Sequence, residues 1–171
     1  DRTYNGTGTD TDEAYALTLD SSSNVYVTGV SSGGANRFDI ATIKYNNNGI
    51  EQWVRTYNGL NFDDAGRYIE SDKNGNIFVG GNTQVELFGK NVFTVLNYSE
   101  SGILQWERKN VSTSAGNNNI NGIRIDKNKN LIVGATIFNG NTIKNDRLLI
   151  QYNSNGDSLW SNLYDTVNTD N

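Results

Sequence analysis

Three tryptophans, Trp53, Trp106 and Trp160, stand 53 and then 54 residues apart, and other residues keep step with them. Gly49, Gly102 and Gly156 each precede a tryptophan by four residues, and Tyr45, Tyr98 and Tyr152 by eight. Asp20, Asp72 and Asp126 recur at steps of 52 and 54, as do Asn24, Asn76 and Asn130. A fixed period of this kind marks a repeat architecture, in which each unit buries its faces against its neighbours. The chain holds three copies of one unit.

Each copy carries four candidate strands, in the first copy 15–19, 25–28, 38–45 and 52–57. They are rich in β-branched and aromatic residues and bounded by Gly, Asn, Asp and Ser. Composition agrees: 35% of residues are apolar, 19% are charged and 18 are glycine, as suits short strands joined by tight turns. Asn48-Gly49 and Asn155-Gly156 predict two-residue type I′ hairpins, with positive φ at both central residues, and Asn74-Gly75 takes a similar part. No stretch shows a 3.6-residue apolar rhythm, so the expected class is all-β.

Four antiparallel strands repeated every 53 residues or so, with one tryptophan per repeat, fit the blade of a β-propeller. A β-helix repeats at a shorter period, and a sandwich gives no reason for Trp, Tyr and Gly to recur in register. Packed blades give that reason. Each meets a neighbour on both faces, so the same pocket is filled in each, and a buried aromatic contributes roughly 2 to 3 kcal/mol.

The run "NVYVTG", then "DIATIKYNNNG", then Trp53 and "TYNG" resembles the bacterial β-propeller repeat called SBBP. The resemblance covers essentially the whole chain, close in the first copy and looser in the third, where "LIVGA" and "LLIQYN" stand. It implies a propeller carried by large secreted or cell-surface bacterial proteins. It brings no catalytic residues.

Residues 1–5 align with 54–58, and "RTYNG" stands at 2–6 and again at 55–59. The expected organisation is one partial propeller domain over 1–171. Residues 1–6 are the outer strand of a preceding blade, followed by blades at 12–59, 64–112 and 118–166, with "AYALTLD" innermost and the tryptophan strand outermost. Closed propellers have about 4 to 8 blades, so this reading makes the chain an arc of a larger ring. The expected partners are further blades of the same chain or, as runner-up, a second copy making six, which must accommodate an extra strand at each end. With no Met, the chain is expected to be processed or excerpted from a longer one.

Absent residue types narrow the chemistry. With no Cys and no His there is no disulfide, thiol nucleophile, imidazole base or ordinary zinc ligand. A net charge of −5 with scattered Lys and Arg argues against nucleic acid as partner, and no apolar run approaches the roughly 20 residues of a membrane span. The expected location is outside the cell, in soluble form.

Asp72, Asn74 and Asn76, echoed by Asp20–Asn24 and Asp126–Asn130, offer alternating oxygens like the start of a calcium loop. The loop is short and lacks the bidentate Glu, so a capped turn is the preferred reading and no cofactor is expected, with calcium as the alternative. The tryptophans are read as packing residues rather than a sugar-stacking set. Asn5, Asn97 and Asn110 begin glycosylation acceptor patterns.

The connections between strands one and two, and three and four, are alike in all copies. Those between strands two and three, and between blades, differ in length and content, and such loops are where binding residues usually sit. Arg37, Phe88, Lys90 and Lys144 are the candidates there, for a protein or glycan ligand. The expected function is a non-catalytic scaffold or adhesin module. The alternative is part of a propeller enzyme, a glycoside hydrolase or lyase, completed by blades outside this chain.

Overall fold

The computed structural model describes residues 3–8, 11–33, 37–60, 62–86, 89–110 and 116–164. These form twelve strands and no helix. The first sheet holds β1 (Glu13–Leu19), β2 (Val25–Ser32), β3 (Phe38–Tyr45) and β4 (Glu51–Tyr57). The second holds β5 (Asp64–Ser71), β6 (Ile77–Gln84), β7 (Asn91–Tyr98) and β8 (Leu104–Lys109). The third holds β9 (Asn119–Ile125), β10 (Leu131–Asn139), β11 (Lys144–Tyr152) and β12 (Ser158–Tyr164). In each sheet the strands pair antiparallel in sequence order. The four strands of the first copy fall where the sequence predicts them, with β2 running four residues further.

The short hairpins correct one expectation. At Asn48-Gly49 and Asn155-Gly156 only the glycine has positive φ, 72° and 77°, so these are not type I′ turns. All six share another design. A type I-like turn is followed by one left-handed residue, Ser23, Gly49, Gly75, Gly102, Lys129 or Gly156. The left-handed residue and the one after it lie opposite the first turn residue, as where Asn46 N–H donates to Ile50 O at 2.9 Å, which is a glycine bulge; the β3–β4-type pairs carry a separate register shift one step beyond the turn, at Lys44/Tyr45, Asn97/Tyr98 and Gln151/Tyr152. The first residue of each turn closes it with a side-chain oxygen. Asn46 Oδ1 accepts from the N–H groups of Asn48 and Ile50, and Asn153 Oδ1 from Asn155 and Asp157. The Asx bonds that shape these turns thus come from Asn46 and Asn153, three residues before the glycine, and Asn48 and Asn155 contribute a backbone N–H to them.

The sheets pack face on face. β5 lies against β1, β2 and β3, and β9 against β5, β6 and β7. We call the face each sheet turns to the one before it leading, and the other trailing. Side chains alternate along each strand, so every internal seam takes one row from each sheet. The first seam holds Tyr26, Ile40, Trp53 and Tyr57 from the first sheet against Ile69, Ile77, Val79, Leu96 and Tyr98 from the second. The second holds Phe78, Phe93, Val95 and Trp106 against Ile120, Ile123, Leu131, Val133, Ala135 and Tyr152. The described residues close no ring, and the outermost faces stay open. Leu17 is 67% exposed on the leading face of the first sheet, and Trp160 43% exposed on the trailing face of the third.

Of the expected preceding strand, residues 1–2 lie outside the described set and 3–6 pair with no strand. Residues 3–8 instead form a strap along the first sheet, held by Gly8 N–H to Ser32 O at 3.1 Å and Gly6 N–H to Asp12 Oδ2 at 2.8 Å.

Candidate functional site

Two regions concentrate chemistry: the end of the molecule where the unlike loops gather, and the seams. At the loop end the sheet-to-sheet connections are tied to the longer hairpins. Asp63 Oδ1 accepts from Phe38 N–H at 3.2 Å, and Asp63 O from Gln84 N–H at 2.9 Å. Each candidate residue belongs to the β2–β3-type hairpin of its own sheet. Arg37 lays its guanidinium over Phe62 at 5.3 Å, and its carbonyl accepts from Gly33 N–H. Lys90 closes its hairpin through Val85 N–H and lies 3.8 Å from Glu86. Lys144 opens β11 opposite Asn139, and Phe88 lies outside the described residues.

Between the first two sheets at this end is a cleft of about 380 Å³. Its lining includes Glu13, Tyr15, Asp63, Arg67 and Asn82. Arg67 stacks on the Tyr15 ring at 4.3 Å, a cation–π contact. Asp64, also in the lining, is buried, with Oδ2 accepting from Gly59 N–H at 2.6 Å and Oδ1 without a partner. Loss of water pushes its pKa up to about 6. Burial likewise raises Asp39, whose Oδ1 is unpartnered, and Tyr57. The sequence reading missed Glu13, Tyr15 and Arg67. The available signal was that Tyr15, Arg67 and Asn121 occupy one position of the repeat and differ, on the first strand of each sheet, where Leu17, Ile69 and Ile123 keep their apolar character.

The calcium candidates are occupied by the turn itself. Asp72 Oδ1 accepts from Asn74 and Asn76 N–H at 2.8 and 2.9 Å, and Oδ2 from the Asn76 amide at 2.7 Å. Asn74 Oδ1 accepts from Lys129 Nζ at 2.8 Å. A cation would have to displace an ammonium and break the bonds that shape the loop. The same pattern recurs at Asp20 and Asp126. Among the acceptor patterns, Asn97 is 1% exposed within the second sheet and closed to a glycosylating enzyme in the folded chain, whereas Asn5 is exposed.

The seams carry a feature that packing alone does not describe. Trp53 donates its indole N–H to Glu100 O at 2.9 Å, and Arg55 Nε–H donates to Gly102 O at 2.7 Å. One sheet on, Trp106 donates to Ser154 O at 2.8 Å and Arg108 Nε–H to Gly156 O at 2.7 Å. Each outer strand thus clasps the last hairpin of the following sheet through the turn's second and fourth carbonyls. The left-handed glycine lets the indole close on the backbone: a Cβ on Gly102 would stand 2.8 Å from Trp53 Cδ2, and one on Gly156 2.7 Å from Trp106 Cδ2. Trp-x-Arg at 53–55 and 106–108 was the sequence signal for this clasp. At 160–162 it reads Trp-Ser-Asn.

No protein-family model matches the chain, and no curated protein matches it significantly.

Proposed function

We propose that the chain is an arc of a β-propeller in a secreted or cell-surface bacterial protein, acting as a non-catalytic scaffold or adhesin. Its three sheets serve as blades, and further sheets of the same kind complete the ring. Protein or glycan binds at the loop end. The observation that carries this reading is the contrast between the seams and the loops. The clasp repeats almost atom for atom in two seams, while the loops and the cleft beside them differ between copies, with Arg37, Lys90, Lys144 and the Tyr15–Arg67 stack at that end. A scaffold that fixes its seams and varies one rim is organised for recognition. The likeness to the SBBP repeat supports the same setting through its residues.

The test is binding against turnover. The chain is expected to retain glycans or surface proteins from an array without altering them, and alanine at Arg67 or Lys144 is expected to weaken that retention. Release of product from a panel of polysaccharides would overturn the non-catalytic reading.

A further inference from the structure

The sequence holds seven Asn-Gly pairs, four of them beginning at Asn48, Asn74, Asn139 and Asn155 and three at Asn5, Asn58 and Asn121. This dipeptide is open to a reaction of the backbone with its own side chain, because glycine puts no Cβ in the way of its nitrogen. The glycine nitrogen attacks the asparagine Cγ and a succinimide ring forms. The Cγ–Nδ2 bond breaks, and ammonia leaves with the proton that the backbone nitrogen gives up. Water then opens the ring at Cγ, giving aspartate, or at the main-chain carbonyl, giving isoaspartate. A nitrogen already committed to a hydrogen bond has to give it up first.

Most of these nitrogens are committed. Gly6 and Gly59 N–H donate to the side chains of Asp12 and Asp64 at 2.8 and 2.6 Å. Gly49, Gly75 and Gly156 N–H donate to the first carbonyl of their turns, at 2.8, 3.3 and 3.0 Å. Gly122 is paired with Gly134 inside β9, where the ladder fixes the backbone. Gly140 stands apart: it lies outside the strands, and its N–H makes no hydrogen bond among the described residues.

The surroundings of Gly140 favour the reaction. Asn139 ends β10, and its Oδ1 accepts from Asn141 N–H at 3.1 Å and Thr142 N–H at 3.4 Å. Two backbone donors on this oxygen draw electrons from Cγ and stabilise the negative charge that gathers as the nitrogen attacks. The amide that leaves is held in place, with Nδ2 donating to Asp146 Oδ2 at 2.9 Å. The turn is also strained. Ile143, a β-branched residue, takes φ 55° and is 80% exposed. A strained, exposed turn opens more readily than a packed hairpin, and the ring closes only if the turn gives way.

We propose that Asn139 is a deamidation site built into the folded chain, converting ahead of the other asparagines, and that its conversion loosens the β10–β11 hairpin. Asp146, its partner, is 1% exposed. Once Asn139 is a carboxylate, a hydrogen bond gives way to two like charges in contact, one of them shut off from water. Isoaspartate adds a second disturbance, a methylene inserted into the main chain at the edge of a tight turn. Lys144 opens β11 opposite Asn139, so the change falls on the loop end. The inference holds whatever that end binds.

The experiment is peptide mapping by mass spectrometry of the purified chain aged at neutral pH, folded and in denaturant, with isoaspartate read out by an isoaspartyl methyltransferase. In denaturant the seven sites are expected to react at similar rates. In the folded chain Asn139 is expected to lead Asn48, Asn74 and Asn155 by about tenfold, the order set by the hydrogen bond that each of their glycines must break. Gly140→Ala is expected to slow conversion at Asn139 alone. A lead by any other asparagine, or equal rates at all seven in the folded chain, overturns the site. For the loosening, Asn139→Asp is expected to speed amide hydrogen exchange in β10 and β11. Asn139→Asp with Asp146→Asn is expected to restore protection, because it puts back one donor and one acceptor. Exchange unchanged by Asn139→Asp keeps the site and overturns the loosening.

Discussion

The two internal seams share one clasp and differ in what lies beneath it. In the first, Lys44 Nζ reaches Glu100 Oε1 at 3.1 Å and stands 5.3 Å over the Tyr26 ring, whose hydroxyl donates to Asp20 at 3.1 Å. In the second, Asn97 replaces Lys44, Phe78 replaces Tyr26 and Ser154 replaces Glu100, and the Asn97 amide nitrogen has no partner. Yet the aromatic ladder is nearly unchanged, with Tyr26–Trp53–Tyr98 spaced at 6.0 and 6.4 Å and Phe78–Trp106–Tyr152 at 5.9 and 6.2 Å. The clasp and the ladder set the spacing of the sheets, and the polar content fills in around them. Anything that breaks the clasp should therefore damage both seams alike, and anything that touches only the polar filling should distinguish them.

The largest effect is expected from the indole. Trp106→Ala removes a buried ring at 9% exposure together with its hydrogen bond, and is expected to cost about 3 to 5 kcal/mol in denaturant unfolding. Trp53→Ala should come close to it. Trp160→Ala, with no clasp among the described residues, should cost under about 1 kcal/mol in the monomer. Equal losses at all three would mean that each indole stabilises its own sheet rather than the joint to the next.

Next comes the glycine that receives the ring. Gly102→Ala and Gly156→Ala place a Cβ against an indole at φ of 79° and 77°, combining left-handed strain with overpacking, about 2 to 4 kcal/mol each. Near-identical values in the two seams would support a common clasp. A loss confined to one seam would break the equivalence.

Asp64 separates the seams by pH. Its counterpart in the second is Asn118, whose oxygen accepts from Phe138 N–H at 2.9 Å and whose amide donates to Asn110 at 2.9 Å. Asp64 titrates near pH 6 when folded, against 3.8 for the ordinary group. The folded chain therefore holds this proton more tightly than the unfolded one, and the stability it contributes is complete below pH 3.8 and lost as pH rises through 6. Asp64→Asn makes the first seam like the second. Its advantage over the parent should grow by up to about 3 kcal/mol from pH 4 to pH 7, measured by urea unfolding at each pH. A difference independent of pH would show that the carboxyl is not held neutral by burial.

Much of this molecule was legible in the chain because repetition amplifies weak signals. One "WVRTYNG" says little, but Trp, Gly and Tyr in register three times locate the sheets, their order and the residues of the seams. The turn type was misjudged at Asn48-Gly49, since that dipeptide serves two hairpin geometries that differ in the φ of the asparagine, and here only the glycine has positive φ. The clasp was missed because an arginine two residues after a tryptophan has no local meaning; its acceptors, Gly102 and Gly156, lie nearly fifty residues away. The cleft was missed for the opposite reason. Tyr15 and Arg67 meet because they break the repeat, and a departure at one position looks the same as drift until the sheets are laid together.

The smallest expected effect tests which part of Glu100 matters. Its side chain is 61% exposed, so the ion pair with Lys44 is screened by water and is expected to contribute under about 1 kcal/mol. Its carbonyl, by contrast, receives the Trp53 indole, and no side-chain substitution removes it. Glu100→Gln should leave stability within about 0.5 kcal/mol of the parent and make it less sensitive to salt. Trp53→Phe keeps most of the ring but gives up the N–H, leaving that carbonyl only the longer 3.4 Å bond from Lys44 Nζ, and should cost about 1 to 2 kcal/mol. A larger loss from Glu100→Gln than from Trp53→Phe would place the stabilisation of the first seam in its charges, and the likeness of the two seams would then be only geometric.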